Sequence, residues 1–468
     1  MSKNKIISNN ITLKIKYTSE NSDRILEFIK NYNNVLRFTY NRLYEAPMHN
    51  MKTKDLLAVI NSMNNVFVDT YFKTGAMYEA RALIKLNGDN KVIFGGKKLF
   101  IERCKNNISK EDFNIKKLLP LQVIGASHNN GNCKFQIIDK NTILFKPNKY
   151  EHFNLHLKSV GKNYQRYLNQ LISAQNNKLL PITYKLGIEY IYITFDLSVL
   201  NPSVSTYTSI TNRIFSIDMN PNYVGYSVID WKNSDEFNIV ESGVYSIKPL
   251  NDYEKSLNVS SDNSERLYIT NKRKYETIQL AHLLTKKAKH FKCSIFAIEQ
   301  LNMKSKDAEK GKHYNRCVNN QWNRNQFVQI IHKDCINYSI QLQEVMPNYT
   351  SFIGNLAYRY LQLPDMILAS IEISRRAYEF YHQYIVEDTP INKNIIFNNS
   401  TISKNNIIKS LEEFNIIDSV ENIKSLYKKL KKMKCNYRFP LESAVLVNSQ
   451  SLLSLFDKHK YLNTYVFL

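Results

Sequence analysis

Two short stretches of this chain, IFSID at Ile214–Asp218 and CSIFAIE at Cys293–Glu299, are apolar almost without interruption up to a final acid. A run this continuous marks a strand covered on both faces, which places it inside a sheet layered between helices and excludes an all-helical bundle. Asp218 and Glu299 then stand at strand ends, where water keeps a carboxylate inexpensive and a rigid sheet can aim it. Between them lie a Pro/Asn turn, a second strand at Tyr223–Ile229 rich in β-branched and aromatic residues, and an amphipathic helix at Lys272–His290. Alone, Asp218 also reads as an ordinary turn opener. Two buried strands each closing on an acid form a rarer pattern.

A third acid follows in LPDMILASIEISRRAYEFYHQY, where Pro364 suits the first turn of a helix and Asp365, Ala369, Glu372 and Arg376 fall near one face. Asp365 is equally the acid that a helix N-terminus favours. The small Ala369 lets this face pack closely on a sheet, so that Asp365 reaches the strand ends. Three carboxylates gathered there repel one another unless cations neutralise them. An all-oxygen donor set selects Mg²⁺ or Mn²⁺ over zinc, and two such ions about 4 Å apart serve an in-line phosphodiester displacement.

Charge agrees with that chemistry. The 468 residues carry 64 Lys and Arg against 41 Asp and Glu, a formal net charge of +23, which favours a polyanionic partner such as nucleic acid. The same excess also follows from a Lys/Asn/Ile/Tyr-rich composition. The six cysteines, Cys104, Cys133, Cys293, Cys317, Cys335 and Cys435, form no CxxC pair, so neither a zinc site nor a disulfide framework is expected. MSKNKIISNNITLKIKY holds no signal-peptide run and no stretch approaches a membrane span; an intracellular, soluble protein is expected.

The remaining chain sorts by texture. ITLKIKY at 11–17 reads as a half-buried strand. A helix follows with the stripe Ile25, Phe28, Ile29, Tyr32, Leu36, Thr39 and Leu43; its other face, Lys30, Asn34, Arg37 and Asn41, is either solvated or follows a phosphate backbone. Helices at Thr53–Asn64 and Asn65–Leu86 complete a helical lobe. From Lys91 strands and turns are expected, with Gly95-Gly96 before Lys97 and Lys98 read as a hairpin turn in preference to a phosphate loop, and Asn130-Gly131 as a tight hairpin. His282 reads as a packed core histidine, residues 303–322 as a basic surface loop, and PNYTSFIGN as a turn. The helix Glu421–Lys434 sets Ile423, Leu426, Leu430 and Met433 against Lys424, Lys428, Lys431 and Lys432, a face that is solvated or docks on nucleic acid, and SAVLVNSQSLLSLF is expected to pack back on the acid-bearing domain.

IFSIDMNPNYVGYSVID, FAIEQLN and DMILASIEISRRA resemble the three RuvC-type motifs of the TnpB nucleases and the compact type V CRISPR effectors, and PNYTSFIGN resembles the segment before that family's zinc ribbon. The resemblance spans roughly residues 11–385, but the ribbon's CxxC pairs are absent. It implies an α+β multidomain chain: a RuvC/RNase H-like α/β nuclease domain at 213–385, a β-barrel-like wedge module at 1–17 and 91–212, an inserted helical recognition lobe at 18–90, and a basic helical region at 386–468. It further implies an Mg²⁺- or Mn²⁺-dependent endonuclease that holds a guide RNA and cuts double-stranded DNA beside a short flanking motif. Asp218, Glu299 and Asp365 would be catalytic metal ligands, with Glu372 as a substitute third acid. Lys30, Arg37, Lys97, Lys98, Arg324, Arg375, Arg376 and Lys428 are the candidate nucleic-acid contacts. A nuclease-inactive RNA-guided repressor and an RNA-independent resolvase or transposase are the competing expectations.

Overall fold

The computed structural model describes residues 9–45, 53–61, 69–88, 90–200, 209–220, 222–256, 263–300, 324–381, 401–414, 423–433 and 463–467. The predicted loop at 303–322 and the segment SAVLVNSQSLLSLF lie outside these. The chain divides into two compact units, residues 8–202 and residues 203–468 together with 1–7.

The first unit opens with β1 (Asn10–Thr18), which turns Leu13, Ile15 and Tyr17 inward. Three helices follow, α1 (Ser22–Glu45), α2 (Thr53–Asn61) and α3 (Thr70–Asn87), and α1 buries the predicted stripe at Ile25, Ile29, Tyr32, Leu36, Thr39 and Leu43. Where strands and a hairpin were expected after Lys91, the chain forms α4 (Gly96–Cys104) and α5 (Lys110–Lys116). Gly95 and Gly96 both take positive φ, +86° and +84°, and there they launch a helix, since KKLFIERC lacks the period-two alternation a strand needs.

Seven strands form this unit's antiparallel sheet: β1, then β2 (Leu121–Val123), β3 (Phe135–Asp139), β4 (Thr142–Phe145), β5 (Phe153–Lys158), β6 (Thr183–Leu186) and β7 (Tyr190–Asp196). α6 (Lys162–Asn176) connects β5 to β6, and the short α7 (Leu197–Leu200) ends the unit. The order β2-β6-β7-β1-β5-β4-β3 makes β1 the central strand. The sheet curls on itself. Phe135 of β3 stacks on Tyr184 of β6 with ring centroids 4.7 Å apart, although these strands lie towards opposite edges. Asn132 ties the edges, its amide donating to the Val123 and Ile182 carbonyls while its oxygen accepts from the Lys134 and Phe135 N–H groups. Among the described residues no β2–β3 ladder closes the curl, so the module is barrel-like without being a closed barrel.

The second unit is built on a six-stranded sheet. β8 (Ile210–Met219), β9 (Tyr223–Trp231) and β10 (Phe237–Ser246) form an antiparallel meander. After α8 (Lys248–Ser256) and α9 (Asn263–His290), β11 (Cys293–Glu299) returns parallel to β8. Then α10 (Arg324–Tyr338) leads to β12 (Gln341–Val345), parallel to β11. α11 (Thr350–Ala357), α12 (Asp365–Phe380), α13 (Thr401–Glu413), α14 (Ile423–Lys432) and β13 (Asn463–Phe467) follow, giving the order β12-β11-β8-β9-β10-β13. This is the RNase H-like α/β arrangement that two doubly covered strands foretold.

Both faces of the sheet are covered. Phe215, Ile217, Tyr226, Tyr245 and Phe296 pack with α9 and α10; Ile214, Ile229, Val244, Ile295 and Ala297 pack with α11, α12, α13 and α14. Leu426 and Leu430 seat α14 in this second core while Lys424 and Lys428 stay exposed. PNYTSFIGN, expected as a turn, supplies α11, because Phe352, Ile353 and Leu356 meet the core at helical spacing. His282, expected in the core, keeps its side chain 39% exposed and sets Nδ1 2.5 Å from Asp334 Oδ2, joining α9 to α10.

Candidate active site

The acids reach one end of one face by register. Side chains alternate along β8, so Asp218 shares the α12 side with Ile214 and Ser216 while Phe215 and Ile217 point to the other core. Ile217 pairs with Ile298 in the parallel β8–β11 ladder, so the next step along each strand sets Asp218 level with Glu299. Glu299 continues the face of Ile295 and Ala297. Both carboxylates are 7% exposed, at the ends of adjacent central strands.

Asp365 arrives with α12. Asp218 pairs with Gly225 across the β8–β9 ladder, and a Cβ at Gly225 would fall 2.5 Å from the Cβ of Met366 and 2.7 Å from its carbonyl oxygen. Only glycine admits that approach, which lays the first turn of α12 on the sheet beside the acid of β8. The helix continues down the sheet on small side chains: Ser370 Oγ lies 2.9 Å from Ser227 Oγ, which lies 2.8 Å from Ser216 Oγ. Thus Ala369 is one of a row of small residues, and the predicted close packing is made by serines as much as by alanine.

α11 joins the acids to each other. Thr350 Oγ1 donates to Glu299 Oε1, and the buried Asn355 amide donates to Asp365 Oδ1. Neither residue was singled out from the sequence; the signal was the polar T and N at positions five apart in YTSFIGN, which a turn reading leaves without direction. α11 itself lies tight on α12, since a Cβ at Gly354 would sit 2.4 Å from the Leu368 carbonyl oxygen.

Burial raises the Glu299 carboxyl above its ordinary range, against the Thr350 hydrogen bond and the charges of Arg376 and Arg324. Arg324 is 9% exposed and its Nη2 donates to the Glu299 carbonyl at 2.9 Å, so this candidate nucleic-acid contact stands inside the acid site. Arg375 and Arg376, predicted as nucleic-acid contacts, are interior. Arg375 binds Glu372 and Glu379, and Arg376 binds Glu372 at 2.8 Å and the Met346 carbonyl at 2.6 Å. They lie there because a fully buried Glu372 demands counter-charges. The same pairing removes Glu372 as a substitute third acid, since both arginines hold its carboxyl in the core, and despite burial they depress its pKa. Lys30, Lys97, Lys98 and Lys428 are exposed; Arg37 is half-buried.

The donor set, all carboxylate oxygen at one sheet end, fits a hard divalent cation. Among the described residues, however, no three His, Cys, Asp or Glu side chains already stand in ligating geometry, and two of these acids are engaged by α11. Asp218 and Glu299 form the preassembled part; Asp365 completes the set from the helix.

No family model matches the sequence, and no curated protein matches it. Two solved structures do. A cryo-EM structure of a Cas12f1–sgRNA–target DNA complex aligns with a TM-score of 0.41 at 12% identity, over 78% of this chain and 98% of that one. A CRISPR-Cas12f ternary complex, also by cryo-EM, aligns with a TM-score of 0.27 at 11% identity, over 83% of this chain and 81% of that one. Nothing about the acids is carried over from either. Among the described residues no helix is long and apolar enough to cross a membrane.

Proposed function

We propose that this protein is an RNA-guided DNA endonuclease with a RuvC-type, two-metal acidic site formed by Asp218, Glu299 and Asp365. The observation that carries the reading is the register: Ile217 against Ile298 and Gly225 against Met366 bring the acids of two strands and a helix to one end of a sheet. The net charge of +23 and the order of the three acid-bearing segments support it.

Bound divalent ions would supply an activated water and offset the charge on the leaving oxygen. The chain's own residues position and orient. Thr350 fixes one oxygen of Glu299 and leaves the other to bind; Asn355 does the same for Asp365. Arg324 clamps the Glu299 carbonyl, so the acid is held from both its main chain and its side chain. Burial at the strand ends keeps bulk water from competing for these oxygens.

The test is cleavage of plasmid DNA by protein purified with its own RNA, alongside Asp218→Ala and Glu299→Ala. Both variants should lose cleavage by about 10³-fold or more, as removal of a principal electrostatic element does. Robust cutting by both overturns the site. A second reading, a nuclease-inactive RNA-guided DNA-binding repressor, is favoured by the lack, among the described residues, of a preformed three-acid cluster. Such a protein binds target equally in chelator and never nicks it. An RNA-independent resolvase or transposase would keep full activity after ribonuclease treatment.

A further inference from the structure

Arg37 and Lys117 are two cations of the first unit pressed together without an acid. Arg37 projects from α1 over the ring of Phe94, its guanidinium carbon 5.4 Å from the centroid. Its Nε and Nη2 are sealed from solvent and have no hydrogen-bond partner. Lys117 stands on the far side of the next residue, because a Cβ at Gly95 would fall 3.0 Å from the Lys117 Cβ. Burial lowers the pKa of Arg37, and burial with the nearby charges of Arg37 and Lys110 lowers that of Lys117. Among the described residues no acid is paired with either. A buried donor without a partner is costly, and so are two like charges in contact. An arrangement that carries both costs is complete only when an anion sits between them.

The surroundings match an anion of one kind. Phe94-Gly95 leads directly into α4, whose N-cap Gly95 has no side chain to cap the first turn. The first turn presents Lys97 and Lys98 to solvent. Uncapped backbone N–H groups, a planar guanidinium held flat on an aromatic ring and a lysine together suit a tetrahedral oxyanion, and the open surface around them suits one that belongs to a chain.

We infer that Arg37, Lys117 and the start of α4 form a cradle for a backbone phosphodiester of a nucleic-acid strand. The assignment rests on the nucleic-acid part of the function proposed above and deepens it; it does not depend on cleavage.

The test is binding, in chelator, of a fluorescent single-stranded RNA and a fluorescent DNA duplex by full-length protein across a salt series. Arg37→Gln should weaken one of the two by roughly tenfold, as loss of a hydrogen-bonded charge does. It should also lower the slope of log affinity against log salt by about 0.7 for the RNA or about 0.9 for the duplex. Lys117→Gln should act in the same direction, and Arg37→Lys should restore the slope but not the full affinity. The arm that responds names the strand. Removing one of two repelling cations should leave the melting temperature equal or higher. Unchanged affinity and slope in both arms, or a lower melting temperature with an unchanged slope, overturns the cradle. Since chelator removes cleavage from the readout, a failed nuclease assay leaves this result standing.

Discussion

The two faces of the six-stranded sheet are made of opposite materials. Towards α9 and α10, Phe296, Phe215, Tyr226 and Tyr245 stack in a row across four strands, with successive centroids 4.9, 5.5 and 5.6 Å apart. Towards α12 the same strands offer Ser216, Gly225 and Ser227, and the helix rides on their backbone. Large rings hold helices away from a sheet and small residues draw them in. The aromatic face therefore supplies buried area, whereas the small face supplies approach, and only the second can bring a helix-borne acid to the strand ends.

The largest effect should come from the aromatic face. Phe215→Ala removes the ring stacked on both Tyr226 and Phe296 and should cost about 3–5 kcal/mol of stability, read as a lower urea midpoint. Cleavage per folded molecule should change little, because Phe215 points away from the acids. Loss of activity in excess of unfolding would show that the two faces are not separable in this way.

A smaller loss of stability should carry a larger loss of function on the other face. Gly225→Ala forces a methyl against Met366, and overpacking of this kind costs about 1–3 kcal/mol. Since the displaced turn carries Asp365, cleavage should fall steeply in protein that remains folded. Full activity in a folded Gly225→Ala protein would mean that the helix does not deliver the third acid. Thr350→Val, which leaves Glu299 in place but takes away its donor, should cost about 1–3 kcal/mol and reduce the apparent affinity for Mg²⁺ in a titration of cleavage.

What the sequence disclosed follows the same division. Continuous apolar runs are visible in one dimension, so β8 and β11, their parallel relation and the two terminal acids could be read directly. The approach of α12 was only half visible: Ala369 was noticed, but Gly225 and the serines matter only when strands are in register, which a sequence does not display. Glu372, Arg375 and Arg376 misled for a related reason. Charged residues at helical spacing resemble a solvated or ligand-facing stripe, and only the burial of Glu372 shows that they pair with one another. Helices α4 and α11 were misread because Gly-Gly and Pro-Asn are stronger turn signals than a helix of two turns is a periodic one.

The least effect, and the sharpest, concerns proton binding on the small face itself. Glu299 and Glu372 lie on it with opposite perturbations: burial holds the first above its ordinary pKa, while Arg375 and Arg376 overcome burial and hold the second below it. A raised carboxyl binds its proton more tightly folded than unfolded. Its stabilising contribution is thus complete below the ordinary carboxylate pKa and is lost as pH rises through the elevated value. Glu372 behaves inversely, contributing above the ordinary value and failing as pH falls through its depressed one. A whole-protein curve mixes the two, so the difference between wild type and Glu299→Gln is the quantity to measure. In chelator, Glu299→Gln should melt above wild type at neutral pH, because the amide resembles the protonated acid, and the gap should narrow as pH falls through the elevated Glu299 pKa. Added Mg²⁺ should reverse the order at neutral pH, raising the melting temperature of wild type alone, since a cation that binds only the folded state stabilises it by mass action. If Glu299→Gln gains the same stabilisation from Mg²⁺ as wild type, the ion is bound elsewhere and the buried charge at this strand end has a structural cause only.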